Sequence, residues 1–402
     1  VRIAVLGGGP AGSAAALRLA RSGTAVDLYM PARPGEKPCG GAVPEHVLPE
    51  LAGFDPGPLP AVRSPCALLE NGRGSRIDLA LTGLRIFRRV DLDAALAAAA
   101  LAAGACRAAG RAERVEGGPG GVRVTVGVTG GSGAGKEVRE YDWAIGADGA
   151  GGLARRAAGL GMAAGAAGAA GTAGVASGMS EEERLGRSVG LGASLSGLAW
   201  DRLVLAFPGE GDAYAWIFPR PGGASVGIAY TACGAGGVGG LREAAARALL
   251  DTFLDRHLPA GWRELPGPRY RYPIPVFGPW TLPGVRRGLK KRLLLAGDAA
   301  ALADPLTREG IRYALLSGTW AAESLLQGGP ASYPEKLEAE LAGEMERARS
   351  ARDLFFDGPI GQWMVPVARL HPGIRQVLGD LLSCRQPYRG LKRRLLASVL
   401  SW

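Results

Sequence analysis

The sequence predicts an α/β fold: a Rossmann-like nucleotide-binding domain, a second domain carrying an antiparallel sheet, and a C-terminal helical segment. Three observations predict it. A glycine-rich turn joins a strand-type run to a helix-type run at the N-terminus, a second strand-turn-helix unit stands at residues 292–326, and short strand-like runs fill much of the chain between them.

The first unit opens on an apolar run at residues 2–6, followed by Gly7-x-Gly9-x-x-Gly12 and an alanine-rich amphipathic stretch to about Ser22. This is strand, tight turn and helix in order. The first glycine permits the turn, the second lets backbone approach a pyrophosphate, and the third lets helix pack on strand. The helix N-terminus then offers free N–H groups and the positive end of its dipole to phosphates. Gly7, Gly9, Pro10, Ala11 and Gly12 are therefore candidate dinucleotide-binding residues. The second strand, residues 25–30, ends in Tyr29-Met30-Pro31 and lacks the terminal acid that holds an adenosine ribose. Asp27 lies inside that strand and Glu36 beyond it.

The second unit has Lys291 and Arg292 before a buried-type strand, Leu293 to Ala296. Gly297-Asp298-Ala299 then turns into a loop, and a helix starts near Arg308–Ile311 and runs to about Leu326. A carboxylate after a strand, at the head of a Gly/Ala turn, suits a ribityl hydroxyl. A helix N-terminus beside an isoalloxazine stabilises negative charge on reduced flavin. The two units together predict FAD as cofactor, and a flavin-dependent oxidoreductase rather than a nicotinamide dehydrogenase. Gly297, Asp298, Pro305, Arg308, Gly310 and Ile311 are the candidate flavin contacts in this unit.

The FAD-binding domain is expected to be discontinuous, over 1–60, 85–160 and 285–330. Residues 105–142 read as an antiparallel excursion from it, and the almost pure Ala/Gly stretch 161–178 as a joint leading out of it. The substrate domain takes 61–84 and 165–284, with strands at Arg202–Phe207, Tyr214–Phe218 and Ala224–Tyr230 and a helix at Leu241–His257. Tyr270–Phe277, with Pro273 and Pro275, reads as an edge strand. Residues 331–402 read as helices broken at Pro366, Pro372 and Pro387.

The run Gly297 to Gly318 resembles the flavin-binding signature of the geranylgeranyl reductase family, part of the wider group of flavoproteins built like para-hydroxybenzoate hydroxylase. Lys37-Pro38-Cys39-Gly40-Gly41 resembles the family's Cys-Gly-Gly element, and Tyr214-Ala-Trp216-Ile-Phe218-Pro219-Arg220 its aromatic Tyr-x-Trp-x-Phe-Pro element. Arg89-Val-Asp-Leu-Asp93 is similar to the wider group's Arg-x-x-Phe-Asp element, and Gly146-Ala-Asp148-Gly149 to its central Gly-Asp element. The resemblance thus implies that Cys39, Gly40, Arg89 and Asp148 also border the cofactor. The sequence departs from the pattern at Arg308, where the family usually shows a small residue, at Ala301 for a usual Gly, and at Gly211 for an expected Pro. Arg308 is expected either to crowd the flavin ring or to place a positive charge near it.

The resemblance implies reduction of C=C bonds in a geranylgeranyl-type isoprenoid chain by hydride from flavin N5, with a proton delivered to the other carbon. The flavin supplies the redox chemistry and the protein supplies binding, orientation and access. Cys39 is a candidate for placing the proton or tuning the flavin, although a free Cys is also a common small buried hydrophobe. Trp216 and Phe218 are candidates for the wall opposite the ring, or for core packing of a strand. Asp304 and Glu309 are nearby acids, and Glu309 is a candidate helix cap. NADPH or another electron donor serves as reductant, and no second glycine-turn unit marks a separate nicotinamide domain. The alternative on the same scaffold is an FAD-dependent monooxygenase or halogenase acting on an aromatic or other hydrophobic substrate. A degenerate flavoprotein with a binding role is a third reading.

Composition narrows the remainder. Five Cys show no metal-ligand spacing and three His stand far apart, so no metal site is expected and a reducing, cytoplasmic setting is. No secretory signal and no apolar run of 18 residues is read in the chain. The net charge is +10, with one basic cluster at Arg286–Arg292 and another at the C-terminus, where Arg389, Lys392, Arg393 and Arg394 mix with an apolar stripe. That second cluster suits peripheral contact with the inner face of an anionic membrane. A helix docked on the protein with an exposed basic face is the alternative. Nucleic-acid binding is not expected, since aromatics are sparse and no binding motif is present.

Overall fold

The computed structural model describes residues 1–32, 35–50, 54–130, 133–160, 187–233, 240–358 and 360–400. The predicted joint at 161–178 lies outside them. Five strands run side by side in the order Leu293–Leu295, Trp143–Gly146, Arg2–Leu6, Ala25–Tyr29 and Cys106–Arg107, and every pairing is parallel. The two sequence units that predicted a nucleotide site thus lie in one sheet. A parallel strand covered on both faces needs apolar side chains on both, and Ile3, Ala4, Val5 and Leu6 are all buried. The helices Pro10–Arg21 and Ile311–Leu326 contribute to the same core, as do Val115, Val122, Val124 and Val126 of an antiparallel sheet built from residues 111–141. Packing at the turn is tight. A Cβ on Gly12 would stand 1.8 Å from the Gly7 carbonyl oxygen, and Gly7 itself has φ +109°.

The second sheet has seven strands, in the order Arg269–Pro275, Arg187–Ser196, Gly223–Thr231, Ala213–Arg220, Leu203–Phe207, Cys66–Asn71 and Arg76–Ala80. Neighbours are antiparallel except Leu203–Phe207 with Cys66–Asn71. The proline-bearing strand Arg269–Pro275 stands at the edge, where Pro273 and Pro275 remove no ladder bond that a central strand requires. The helix Glu243–His257 packs on this sheet through Ala246, Leu250, Phe253 and Leu254.

The C-terminal region is helical, with helices Gly343–Phe356, Ile360–Leu370, Pro372–Leu382 and Leu391–Leu400. One expected break is absent: Pro366 lies inside the helix Ile360–Leu370. A proline there leaves the carbonyl of Gln362, four residues back, without its helical donor. The Asn71 side chain fills that role, with Nδ2 donating to the Gln362 carbonyl at 3.0 Å. The bond also fastens the C-terminal helices to the seven-stranded sheet. Pro372 opens its helix at a position where no N–H is needed.

Candidate active site

One cavity of about 1040 Å³ runs from the glycine turn, past the second unit, and on between the seven-stranded sheet and the C-terminal helices. Its volume lies at the upper end of ligand sites, about 300–1,000 Å³. Gly9, Pro10 and Ala11 wall one end, with Gly297 and Asp298 beside them. Gly7 and Gly12 do not reach the wall but shape the turn behind it. A Cβ at Gly9 would meet only the Lys37 ammonium, 3.6 Å away, so this backbone is open to a pyrophosphate and has a cation facing it. Lys37 is a site residue that the sequence reading quoted in a motif without assigning it a role. The Asp298 carboxylate lines the cavity and accepts no hydrogen bond among the described residues. Burial raises its pKa, against the opposing charges of Arg89 and Lys37. A cavity-facing carboxylate without a partner, beside an open helix N-terminus and a lysine, fits a dinucleotide carrying a ribityl chain.

Neither acid near the second strand is placed to hold a ribose. Asp27 is occupied by Arg2 at 2.7 Å and the Tyr141 hydroxyl at 2.8 Å. Glu36 accepts from the backbone N–H groups of Arg89 and Val90, at 3.2 and 3.3 Å, and pairs with Arg220 at 2.8 Å. It therefore caps the helix Arg89–Ala102 and ties it to the second sheet. Arg89 lines the cavity with its guanidinium held by Asp93 at 3.1 and 3.0 Å. Asp148 does not reach the cavity wall. Its Oδ2 accepts from the Ala154 N–H at 3.1 Å, at the start of the helix Leu153–Ala157, while its buried Oδ1 has no hydrogen-bond partner among the described residues.

Two of the three departures from the family pattern stand in or just before the loop 304–310. Ala301, just before it, and Arg308 both have left-handed backbone, with φ of 60° and 57°. That conformation disfavours a Cβ, which is why a small residue is the ordinary occupant. Arg308 is held there by its side chain, which is buried: Nη2 reaches Asp212 at 2.6 Å and Nε the Ser188 hydroxyl at 2.5 Å. Asp212 also accepts from Arg352 at 2.7 Å and Thr231 at 2.5 Å. Burial opposes its charge, but the two guanidinium groups hold its carboxyl below the usual range. Arg308 borders the cavity, and its charge is matched there by Asp212. It latches the loop to the second sheet and to the helix Gly343–Phe356. Tyr214 adds a second tie, donating to the Thr307 carbonyl at 2.7 Å.

Asp304 shapes the same loop by accepting the N–H groups of Leu306 and Thr307, both at 2.8 Å, and the Tyr388 hydroxyl at 3.1 Å. Pro305 is buried and outside the cavity wall, whereas Gly310 and Ile311 are in it. Glu309 is not a helix cap. Its Oε2 accepts from the Cys384 thiol at 3.1 Å, and its buried Oε1 has no hydrogen-bond partner among the described residues. Burial raises the pKa of this carboxyl, which lines the cavity.

Cys39, Gly40, Trp216 and Phe218 all line the cavity. The Cys39 sulfur accepts from the Gly41 N–H at 3.3 Å. Its carbonyl accepts from the Ser225 hydroxyl at 2.9 Å, whose oxygen lies 3.3 Å from the Trp216 indole nitrogen, the donor of that contact. The aromatic strand therefore holds the Cys39 loop in place. A Cβ on Gly40 would stand 2.3 Å from the Phe218 ring, so ring and loop are in direct contact. Beyond the aromatics the wall becomes aliphatic: Leu69, Leu203 and Leu205 from the sheet face Met364, Leu378 and Leu395 from the C-terminal helices. The sequence reading placed no site residue in those helices.

Comparison with known proteins agrees with this architecture. No family model matches the chain. It is 29% identical over 350 residues to the geranylgeranyl diphosphate reductase of Rhodobacter capsulatus, covering 85% of this chain and 79% of that one. Among solved structures it is similar to a geranylgeranyl bacteriochlorophyll reductase-like protein from Thermoplasma acidophilum, with a TM-score of 0.67 and 21% identity over 99% of this chain and 98% of that one. It also matches the flavin-dependent brominase Bmp2, with a TM-score of 0.64 and 14% identity over 95% of this chain and 92% of that one. The resemblance carried by the motifs thus extends across most of the chain, and the fold is shared with flavin-dependent enzymes.

Proposed function

We propose that this chain is an FAD-dependent oxidoreductase that reduces C=C bonds in a geranylgeranyl-type isoprenoid chain, with NADPH or another electron donor as reductant. One observation carries the reading. The cavity that begins at the dinucleotide turn continues as an aliphatic channel between the seven-stranded sheet and the C-terminal helices. An alkene at the end of a long apolar tail needs such a channel, and each methylene buried contributes about 0.8 kcal/mol. The similarity to a geranylgeranyl diphosphate reductase supports the same substrate class.

In this reading the backbone of Gly9 to Ala11 and the Lys37 ammonium hold the FAD pyrophosphate, and Asp298 takes a ribityl hydroxyl. FAD, when bound, supplies hydride to one alkene carbon. The protein supplies the proton for the other. Glu309 is the carboxyl suited to that task, because burial raises its pKa, which favours the protonated form, and its Oε1 has no hydrogen-bond partner among the described residues. Cys384 on Oε2 orients the carboxyl. Trp216 and Phe218 confine the reacting segment, and the aliphatic walls exclude water from it.

The test is anaerobic stopped-flow. The flavin is reduced, the protein is mixed with geranylgeranyl diphosphate, and flavin absorbance and product mass are followed. Reoxidation without oxygen, with hydrogen added across double bonds, is the expected result. A flavin that stays reduced until oxygen is admitted overturns the reading and assigns the site to oxygenation or halogenation, chemistry for which the fold shared with the brominase gives precedent.

A further inference from the structure

The distal mouth of the channel opens on the most apolar part of the described surface. Of nine large hydrophobic residues that are exposed, seven lie between Leu354 and Val399. Three of them, Leu354, Ile360 and Leu396, also line the cavity, so the exposed surface and the channel wall are continuous. Trp363, at 56% exposure, and Leu370, at 67%, extend the patch along the helix Ile360–Leu370.

The charge around this patch is mainly positive: Asp353 and Asp357 flank Leu354, but the two helices that carry the rest of it are basic. Residues 360–400 contain seven Lys and Arg and a single acid, Asp380. Asp380 is engaged by the Gln376 and Gln386 side chains at 2.9 and 2.6 Å. Arg369, Lys392 and Arg393 are exposed and make no side-chain hydrogen bond or ion pair among the described residues. Lys392 stands at the channel mouth itself. No helix of the described residues is long and apolar enough to cross a membrane. An apolar face bordered mainly by cations is disfavoured against a second copy of itself and matches the anionic headgroup layer of a bilayer, with the apolar side chains reaching the acyl boundary.

We infer that the helices Ile360–Leu370 and Leu391–Leu400 form a docking face for an anionic lipid surface, set around the channel mouth so that a lipid tail passes from bilayer to cavity without crossing water. From the proposed reaction this takes only the apolar nature of the substrate. The docking itself rests on the patch and its charge.

The experiment uses the full chain with its flavin bound. Co-sedimentation is measured with phosphatidylcholine vesicles and with vesicles containing about one-third phosphatidylglycerol. Binding to the anionic vesicles, weakening with salt, is the expected result. Removing a surface cation weakens partitioning about fivefold. Arg369→Gln with Arg393→Gln should therefore reduce binding about 25-fold, on the same per-charge scale. Trp363→Asp with Leu370→Asp should abolish it. These four side chains lie outside the cavity wall, so flavin content and turnover of detergent-dispersed geranylgeranyl diphosphate should stay at the wild-type level. Equal binding to neutral and anionic vesicles, indifference to either pair of substitutions, or self-association in place of vesicle binding would overturn the inference. Vesicle binding without anaerobic flavin reoxidation by the prenyl substrate would sink the proposed reaction alone. Reoxidation with no vesicle binding would sink the docking alone.

Discussion

At its nucleotide end the cavity is walled by backbone: Gly9 to Ala11, Gly297 and Gly310, each fixed by a turn or a helix start. At its distal end it is walled by aliphatic side chains from two sheet strands and the C-terminal helices. The difference is one of tolerance. A backbone wall accepts one chain path, and the glycines that shape the turn behind it, Gly7 and Gly12, leave no room for an added methyl. An aliphatic wall accepts many sequences provided volume and polarity are kept. The two ends should therefore fail in different ways when altered.

The sharpest contrast is at Gly12. A Cβ there would stand 1.8 Å from the Gly7 carbonyl oxygen, which is backbone and has no free space to move into. Gly12→Val should cost more than about 4 kcal/mol, in the range reserved for strained or overpacked sites. The protein should purify without flavin absorbance near 450 nm on the scale of its protein absorbance, or fail to accumulate. A yellow variant with wild-type flavin content would erase the distinction between the two ends.

Glu309 stands between them, and its substitution sharpens the comparison chemically. Glu309→Gln keeps the shape and removes the proton. Flavin content should hold, while substrate-driven reoxidation falls about 10²–10⁴-fold, the usual range for loss of a general acid. The pH dependence has a definite sign. The Glu309 pKa is raised by burial, so the wild-type rate should be full below that raised value and fall as pH climbs through it. In the variant that limb should be missing. An unchanged rate in Glu309→Gln would move the proton source to another group.

These contrasts explain what the sequence made legible. Gly7, Gly9 and Gly12, and Gly297 with Asp298, are local motifs in which spacing dictates geometry, so both units could be recognised and joined. Lys37 faces Gly9 only because the chain folds back across the turn, and no spacing signals that. Asp148 sits in a motif-like string, but it hydrogen-bonds a helix start and not the cavity. Arg308 read as an anomaly because its partner, Asp212, lies 96 residues away. The distal wall was illegible for the same reason: Met364, Leu378 and Leu395 are ordinary helical apolar residues until the sheet they face is known.

The Arg308 latch ties the two ends together, and breaking it tests that role. Arg308→Ala should destabilise by about 3–5 kcal/mol, because it leaves Asp212 buried with one guanidinium in place of two. Denaturant unfolding measures this. Asp212 is held below its usual range when folded, so its contribution is fully present above the unfolded carboxyl value and is lost as pH falls through the lower, folded one. The wild-type and Arg308→Ala stability curves should therefore converge in acid. Curves that stay parallel down to pH values below the folded carboxyl would show that Asp212 does not depend on Arg308.

The smallest effect concerns how the distal wall is fastened. Asn71 Nδ2 donates to the Gln362 carbonyl that Pro366 leaves without a helical donor. Asn71 Oδ1 also accepts the N–H groups of Arg73 and Ser75, at 3.1 and 2.9 Å, so its loss has two components. Pro366→Ala separates them by restoring the helical donor to Gln362. Asn71→Ala should cost about 1–3 kcal/mol in the wild-type background, where a carbonyl is stranded. The cost should be about 1 kcal/mol smaller in the Pro366→Ala background, where the carbonyl has its helix bond. A double-mutant cycle in denaturant reads that coupling directly. Zero coupling would mean that the Asn71–Gln362 bond carries no energy, leaving the helix Ile360–Leu370 held against the sheet by apolar packing and by the Arg73 contact to the Gln362 side chain.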